Sequence, residues 1–140
     1  VTMVHGLLTP QEMSAIYSHP KIKCFVSLTR GEGYGLPLME AAACELPIMA
    51  TNWSGHLDFL KDFIKINYSL VSIPDSKADG RIFEKNTFWA EASEDDFKKK
   101  LDWVIKNYDT LKKSAKKQSK RIKKDFSQKT FNKKMNEIIK

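Results

Sequence analysis

Two carboxylates eight positions apart, Glu32 and Glu40, bracket the run Gly33-Tyr34-Gly35-Leu36-Pro37. Glycines on both sides of Tyr34 let the backbone take left-handed angles and leave no Cβ to block a close approach. Pro37 suits the first position of a helix, so the amides around Gly35 and Leu36 lie at a helix mouth. Unpaired donors and the helix dipole favour an anion there. Glu40, about one turn in, can accept two hydrogen bonds from a vicinal diol such as a ribose. Glu32, on the strand side of the loop, can do the same for the hydroxyls of a second sugar. A diphosphate carrying a sugar at each end asks for both features in one hollow. Neither carboxylate helps the phosphates, and Arg30 is the one candidate cation close in sequence. Each feature has a plainer reading: a strand-to-helix turn, or an acid placed at a helix dipole. Their conjunction between a strand and a helix is what points to a site.

The elements that must position this loop can be read on either side of it. Lys23–Leu28 has the apolar, β-branched and aromatic character of a buried strand, and a helix is expected from about Pro37 to Cys44. Further strands are expected at Val1–Val4, Pro47–Ala50 and Ser69–Ile73. Thr9, Pro10 and Glu12 have the form of a capping box opening a helix that stops before Pro20. A short helix is expected over His56–Lys61, and a polar connection over residues 74–92. Ser93 with Asp96 opens a helical region to residue 140, with Ser127 starting its last helix. Alternating strands and helices argue for an α/β fold with a parallel sheet covered on both faces. Such sheets bind ligands at the carboxyl ends of their strands, where the glycine loop sits. The division expected is 1–92 for the ligand-binding body and 93–140 for basic helices packing on it.

Charge is divided along the same line. Residues 1–97 hold 8 basic and 13 acidic side chains, whereas residues 98–140 hold 16 basic and 4 acidic. The basic pI therefore belongs to the tail. Its lysines read as a solvated helix face, as a surface for an anionic membrane, or, less in keeping with the missing aromatic–basic interleaving, as a nucleic-acid contact. No apolar stretch approaches the roughly 18 residues of a membrane span. Val1–Val4 reads as the inside of a strand rather than a leader, so the chain is expected to be a piece of something longer. Cys24 and Cys44 read as thiols in apolar surroundings rather than a disulfide, which fits a cytoplasmic, reducing location, with contact at the membrane periphery as an extension. No Asp-x-Asp or His/carboxylate cluster has ligand spacing, so no metal or other cofactor is expected. His56 follows Ser54-Gly55 at the ligand edge and either reaches the ligand or caps the next helix. Trp53 either lines that mouth or packs.

Glu32-Gly-Tyr-Gly-Leu-Pro-Leu-Met-Glu40-Ala-Ala-Ala-Cys44, followed by Pro47-Ile-Met-Ala-Thr-Asn52 and Ser54-Gly55, resembles the donor-binding half of glycosyltransferase family 4 (group 1). These are retaining enzymes of the GT-B type, and the close resemblance covers roughly residues 1–60. It implies a Rossmann-like C-terminal domain that binds a nucleotide-diphospho-sugar. Glu40 would hold the ribose, and Glu32 would contact the donor sugar as the residue nearest the chemistry, positioning it rather than attacking it. The amides of Tyr34, Gly35 and Leu36, with Gly33 before them, would hold the sugar and diphosphate, and His56 is added to the donor set. By the same resemblance, the phosphate-binding Arg and Lys and the acceptor-binding domain lie upstream of Val1, so the fragment should not turn over alone. Glu45 departs from the family's usual glycine, which puts the turn after the helix in question. Two readings of other classes stand beside this one: a non-catalytic nucleotide-sugar-binding module, and a basic helical interaction module on an α/β scaffold.

Overall fold

The computed structural model describes residue 3 and residues 5–139; the strand expected at Val1–Val4 falls largely outside them. The chain is α/β. Three short strands, β1 (Phe25–Ser27), β2 (Ile48–Thr51) and β3 (Ile64–Ile66), pair in parallel in that order. Phe25 lies opposite Ile48, and Met49 opposite Ile64. All four residues of β2 are buried, as expected of a central strand covered on both faces. Ile48 and Ala50 enter one core with Tyr17, Leu38, Ala41 and Phe59. Met49, pointing the other way, joins Ile66, Val104 and Leu111 in a second.

The described residues form five α-helices, α1 (Pro10–Tyr17), α2 (Leu36–Ala43), α3 (Glu94–Lys106), α4 (Tyr108–Asp125) and α5 (Gln128–Ile138), of which α2 and α3 pack on the sheet. The capping box at Thr9 is present, with the Glu12 carboxylate accepting from the Thr9 N–H at 2.7 Å. Ser93 caps α3 by accepting from the Asp96 N–H. α4 is latched to the body by polar groups as well as apolar ones. The buried Gln118 accepts from the Lys61 and Asp62 amides and donates to the Phe59 carbonyl, while Ser119 donates to the Ala43 carbonyl. α5 has no buried residue.

Two expectations about strands are corrected. Ser69–Ile73 was to follow in the parallel series; instead β4 (Tyr68–Ser72) pairs antiparallel with β5 (Phe88–Ala92) in a separate hairpin. β5 ends what read as an irregular polar connection, and β3 supplies the third parallel strand. Ile64-Lys65-Ile66 buries its two isoleucines around an exposed lysine, a run too short to signal itself beside Phe63. The helix expected over His56–Lys61 is a single 3₁₀ turn, Gly55–Asp58.

Candidate functional site

β1 and β2 deliver their carboxyl ends to one edge, and the two loops that follow are locked together there. The Ser54 hydroxyl donates to the Glu32 carbonyl at 2.6 Å and accepts from the Glu32 N–H at 2.8 Å. The Gly55 N–H donates to the same carbonyl at 3.1 Å. A Cβ on Gly55 would stand 2.1 Å from the Gly33 oxygen, so only glycine fits. Ser54 takes a φ of 90° to make this clamp.

The loop then turns into α2 through Gly35, buried and left-handed at φ 83°. No side chain caps the α2 mouth, so the first-turn amides are left for another acceptor. Beside it, Leu36 is 60% exposed, and Tyr34 leans on Phe59 with ring centroids 5.3 Å apart. Gly33 is exposed.

Glu32 and Glu40 do not line the same hollow. Glu32 borders a space of about 1090 Å³ shared with Arg30, Trp53, Lys77, Arg81 and Trp89. Glu40 borders one of about 420 Å³ with Leu8, Met13, Tyr17 and Cys44. The reason is rotation: Glu40 is on the α2 face that packs toward α1, whereas Glu32 precedes the Gly35 turn. Burial, and after it the neighbouring Glu40 carboxylate, holds the Tyr17 phenol above its usual pKa. The expectation of one hollow with both acids in it is thus replaced by two separate hollows, one lined by Glu32 and the other by Glu40.

His56 is buried, its Nε2 donating to the Thr51 carbonyl at 2.8 Å and its Cβ lying against the Gly35 position. Its buried Nδ1 has no hydrogen-bond partner among the described residues. Arg30 is engaged elsewhere: its guanidinium forms a two-pronged pair with Glu91 at 2.9 and 3.2 Å and lies over the Trp89 ring. Trp53 both lines the Glu32 hollow and packs on Tyr68.

Lys77 and Arg81, which line the same hollow, escaped notice because they lie in the β4–β5 connection, where sequence shows only polarity. Ser54-Gly55 was visible as a turn, but nothing local marked it as the clamp. Among the described residues no group of three or more His, Cys, Asp or Glu could hold a metal ion. Both cysteines are free, and burial pushes the Cys24 thiol up to about 12. No helix of the described residues is long and apolar enough to cross a membrane.

A further hollow of about 780 Å³ lies at the amino ends of β2 and β3, away from the loop. Its Asp96 and Asp62 are already paired with Lys100 and Arg121. The chemistry concentrates at the opposite edge. Searches of curated proteins and of solved structures returned no match. Residues 1–125 match the family model described as glycosyl transferases group 1, a span that takes in the glycine loop, both carboxylates and the Ser54-Gly55 clamp. With most of its length inside that match, the chain belongs to the group 1 glycosyltransferases.

Proposed function

We propose that this chain binds a nucleotide-diphospho-sugar as the donor for a retaining glycosyl transfer. The nucleoside enters the smaller hollow, where Glu40 accepts from the ribose diol and Leu8 and Met13 give an apolar wall to the base. The diphosphate lies against the uncapped mouth of α2, near the amides of Gly35 and Leu36. The sugar projects to the other side, where Glu32 positions it. His56, buried and tied to Thr51, serves by fixing the backbone at Gly35. No metal or other cofactor takes part in this reading.

The observation that carries it is the uncapped mouth of α2, with one carboxylate before it in the chain, Glu32, and another within the helix, Glu40, each lining a separate hollow. A diphosphate bridging two sugars fits that arrangement better than any single-ended ligand. The same reading includes an acceptor-binding domain and further phosphate-binding cations outside these 140 residues, so the chain alone binds without transferring. Titration calorimetry with UDP and GDP tests it. One of them binds in the micromolar to millimolar range, and Glu40→Ala weakens that binding. Absence of heat for both nucleotides at millimolar concentration ends the donor reading.

A second reading concerns location, and α5 favours it. Phe131, Ile138 and Ile139 are exposed along one side of this helix, whereas Lys129 and Lys133 fall on the opposite side by helical spacing. Such a helix suits the surface of an anionic membrane bordering the cytoplasm. Sedimentation with phosphatidylserine vesicles, absent with neutral ones, is the expected result. Equal behaviour with both removes the idea.

A further inference from the structure

The walls of the Glu32 hollow come from separate parts of the chain. One is the glycine loop, residues 28–33. The other is the β4–β5 hairpin with its connection, which reaches the hollow through Ile73, Phe88 and Trp89 among others. The hairpin is anchored at its base, where the Asn67 carbonyl accepts from the Ser93 N–H at 2.8 Å and the Asn67 N–H donates to the Asp96 carboxylate at 2.7 Å.

Beyond that anchor a single residue joins the walls. Among the described residues, every hydrogen bond between residues 28–35 and residues 68–92 is made by Arg30. Its carbonyl accepts from the Ala90 N–H at 3.0 Å. Its guanidinium donates to both oxygens of Glu91 and lies over the Trp89 ring, 4.3 Å from the centroid. Successive residues of β5 are thus held by one residue of the loop. Phe83 stands edge-on against Trp89 with centroids 5.7 Å apart, so the connection is tied in at the same point. A two-pronged arginine–carboxylate pair fixes direction as well as distance, and the stacked ring adds to its hold. Two positions further along the loop, the Ser54 hydroxyl holds the backbone of Glu32. Ser54 fixes where the acid starts from, and Arg30 fixes the wall that shares its hollow.

We propose that Arg30 is a positioning residue: through Glu91 and Trp89 it sets the width of the Glu32 hollow, and with it the fit of the sugar that Glu32 positions. It does not hold the phosphates, the role that its charge and its place beside the loop first invite. The sugar half of the inference rests on the donor reading, whereas the joining of the walls does not.

Hydrogen exchange on the whole chain without ligand reads the joining of the walls. Arg30→Ala keeps the backbone bond to Ala90 and loses the side-chain arm. Exchange in residues 28–33 and 73–92 then rises about two- to fivefold, the size that a half-exposed pair can supply, while α1 and α4 are unmoved. Glu91→Ala gives the same pattern, and the double variant adds nothing to it, because the two side chains act as a unit. Titration calorimetry with UDP, GDP, UDP-glucose and GDP-mannose reads the consequence. Both single variants leave UDP and GDP affinity unchanged and weaken the preferred nucleotide sugar, relative to its nucleotide, by about two- to fivefold. Glu91→Ala also releases Arg30, so a phosphate-binding arginine would tighten UDP or GDP. Such tightening overturns the proposal, as does an equal loss of nucleotide and nucleotide-sugar affinity in Arg30→Ala. Unchanged exchange in either wall overturns it too, and so does raised exchange with an unmoved affinity ratio. If neither UDP nor GDP binds the unaltered chain, the donor reading falls, and the exchange result alone decides whether Arg30 joins the walls.

Discussion

The hollow at Glu32 and the hollow at Glu40 are built by different means, although the acids look equivalent in sequence. Around Glu32 the backbone is fixed by the Ser54-Gly55 clamp, while the opposite wall is an exposed connection between two hairpin strands. Around Glu40 the walls are two helices, α1 and α2, and the contacts are side chains on their facing surfaces. A clamp of backbone groups tolerates almost no change at its centre but leaves its ligand-facing wall free to vary. A helix–helix seam sets the shape of its hollow through side chains.

The largest expected effect breaks the clamp. Gly55→Ala would force a methyl to 2.1 Å from the Gly33 oxygen and 3.0 Å from that of Glu32. Backbone cannot step aside as a side-chain tip can, so the cost falls at or above the upper end of the about 1–3 kcal/mol typical of overpacking. Urea denaturation reads the loss of stability, and nucleotide titration reads the distortion of the helix mouth. Next comes the pair that separates the hollows. In the proposed donor pose, Glu40→Ala removes charge-assisted hydrogen bonds to the ribose and is expected to raise the dissociation constant for the preferred nucleoside diphosphate about tenfold to a hundredfold. Glu32→Gln is expected to keep that constant within about twofold, because the proposed donor pose puts the sugar and not the nucleoside in its hollow. Equal losses in both variants would mean that the two acids grip the same end of the ligand.

How much of this was legible depends on whether the signal was local. The α2 segment showed its start through Pro37 and its left-handed entry through Gly35, and the capping residues Thr9 and Ser93 showed the starts of theirs. The division of the site into two hollows was not legible, because it depends on which face of α2 meets α1. Nor was the hairpin: β4 reads as a strand, but its antiparallel partner ends a stretch whose earlier residues are polar. The lysine-rich helices show the limit best. α4 and α5 have comparable amphipathic spacing, yet α4 buries Leu111, Ala115 and Ile122 and α5 buries nothing. What distinguishes α4 is a pair of polar residues, Gln118 and Ser119, that meet carbonyls and amides at the ends of other elements. No periodicity shows such partners.

A smaller effect sharpens the account of the Glu40 hollow. Tyr17 titrates above its ordinary value, with burial as the main cause and the Glu40 carboxylate as the next. Tyrosinate absorbance followed with pH should show Glu40→Gln moving this pKa downward without returning it to normal, since burial remains. The linked stability has a definite sign. A phenol with a raised folded pKa contributes stability that is full below the unfolded value of about 10 and declines as pH climbs toward the folded one. Tyr17→Phe therefore flattens the alkaline limb of the stability profile. An unchanged phenol pKa in Glu40→Gln would place the carboxylate away from α1.

The smallest effect lies at the far end of the same helix and serves as the control for both hollows. Glu45 follows the last turn of α2 with φ 61°, and its N–H donates to the Ala42 carbonyl as the chain leaves the helix. A left-handed residue just past a helix end is the place where glycine is favoured, because a Cβ there crowds the carbonyl oxygen. Glu45→Gly relieves that crowding but gives the unfolded chain more freedom to lose, so the net gain is about 0.5–1 kcal/mol at most. The Lys112 ammonium donates to the carbonyl of residue 45, a backbone contact that the substitution leaves in place. Chemical denaturation should therefore show a modest rise in midpoint with an unchanged slope, while nucleotide affinity stays where it was. A change in affinity would show that the exit of α2 is coupled to its mouth, and the two hollows would then have to be treated as one mechanical unit.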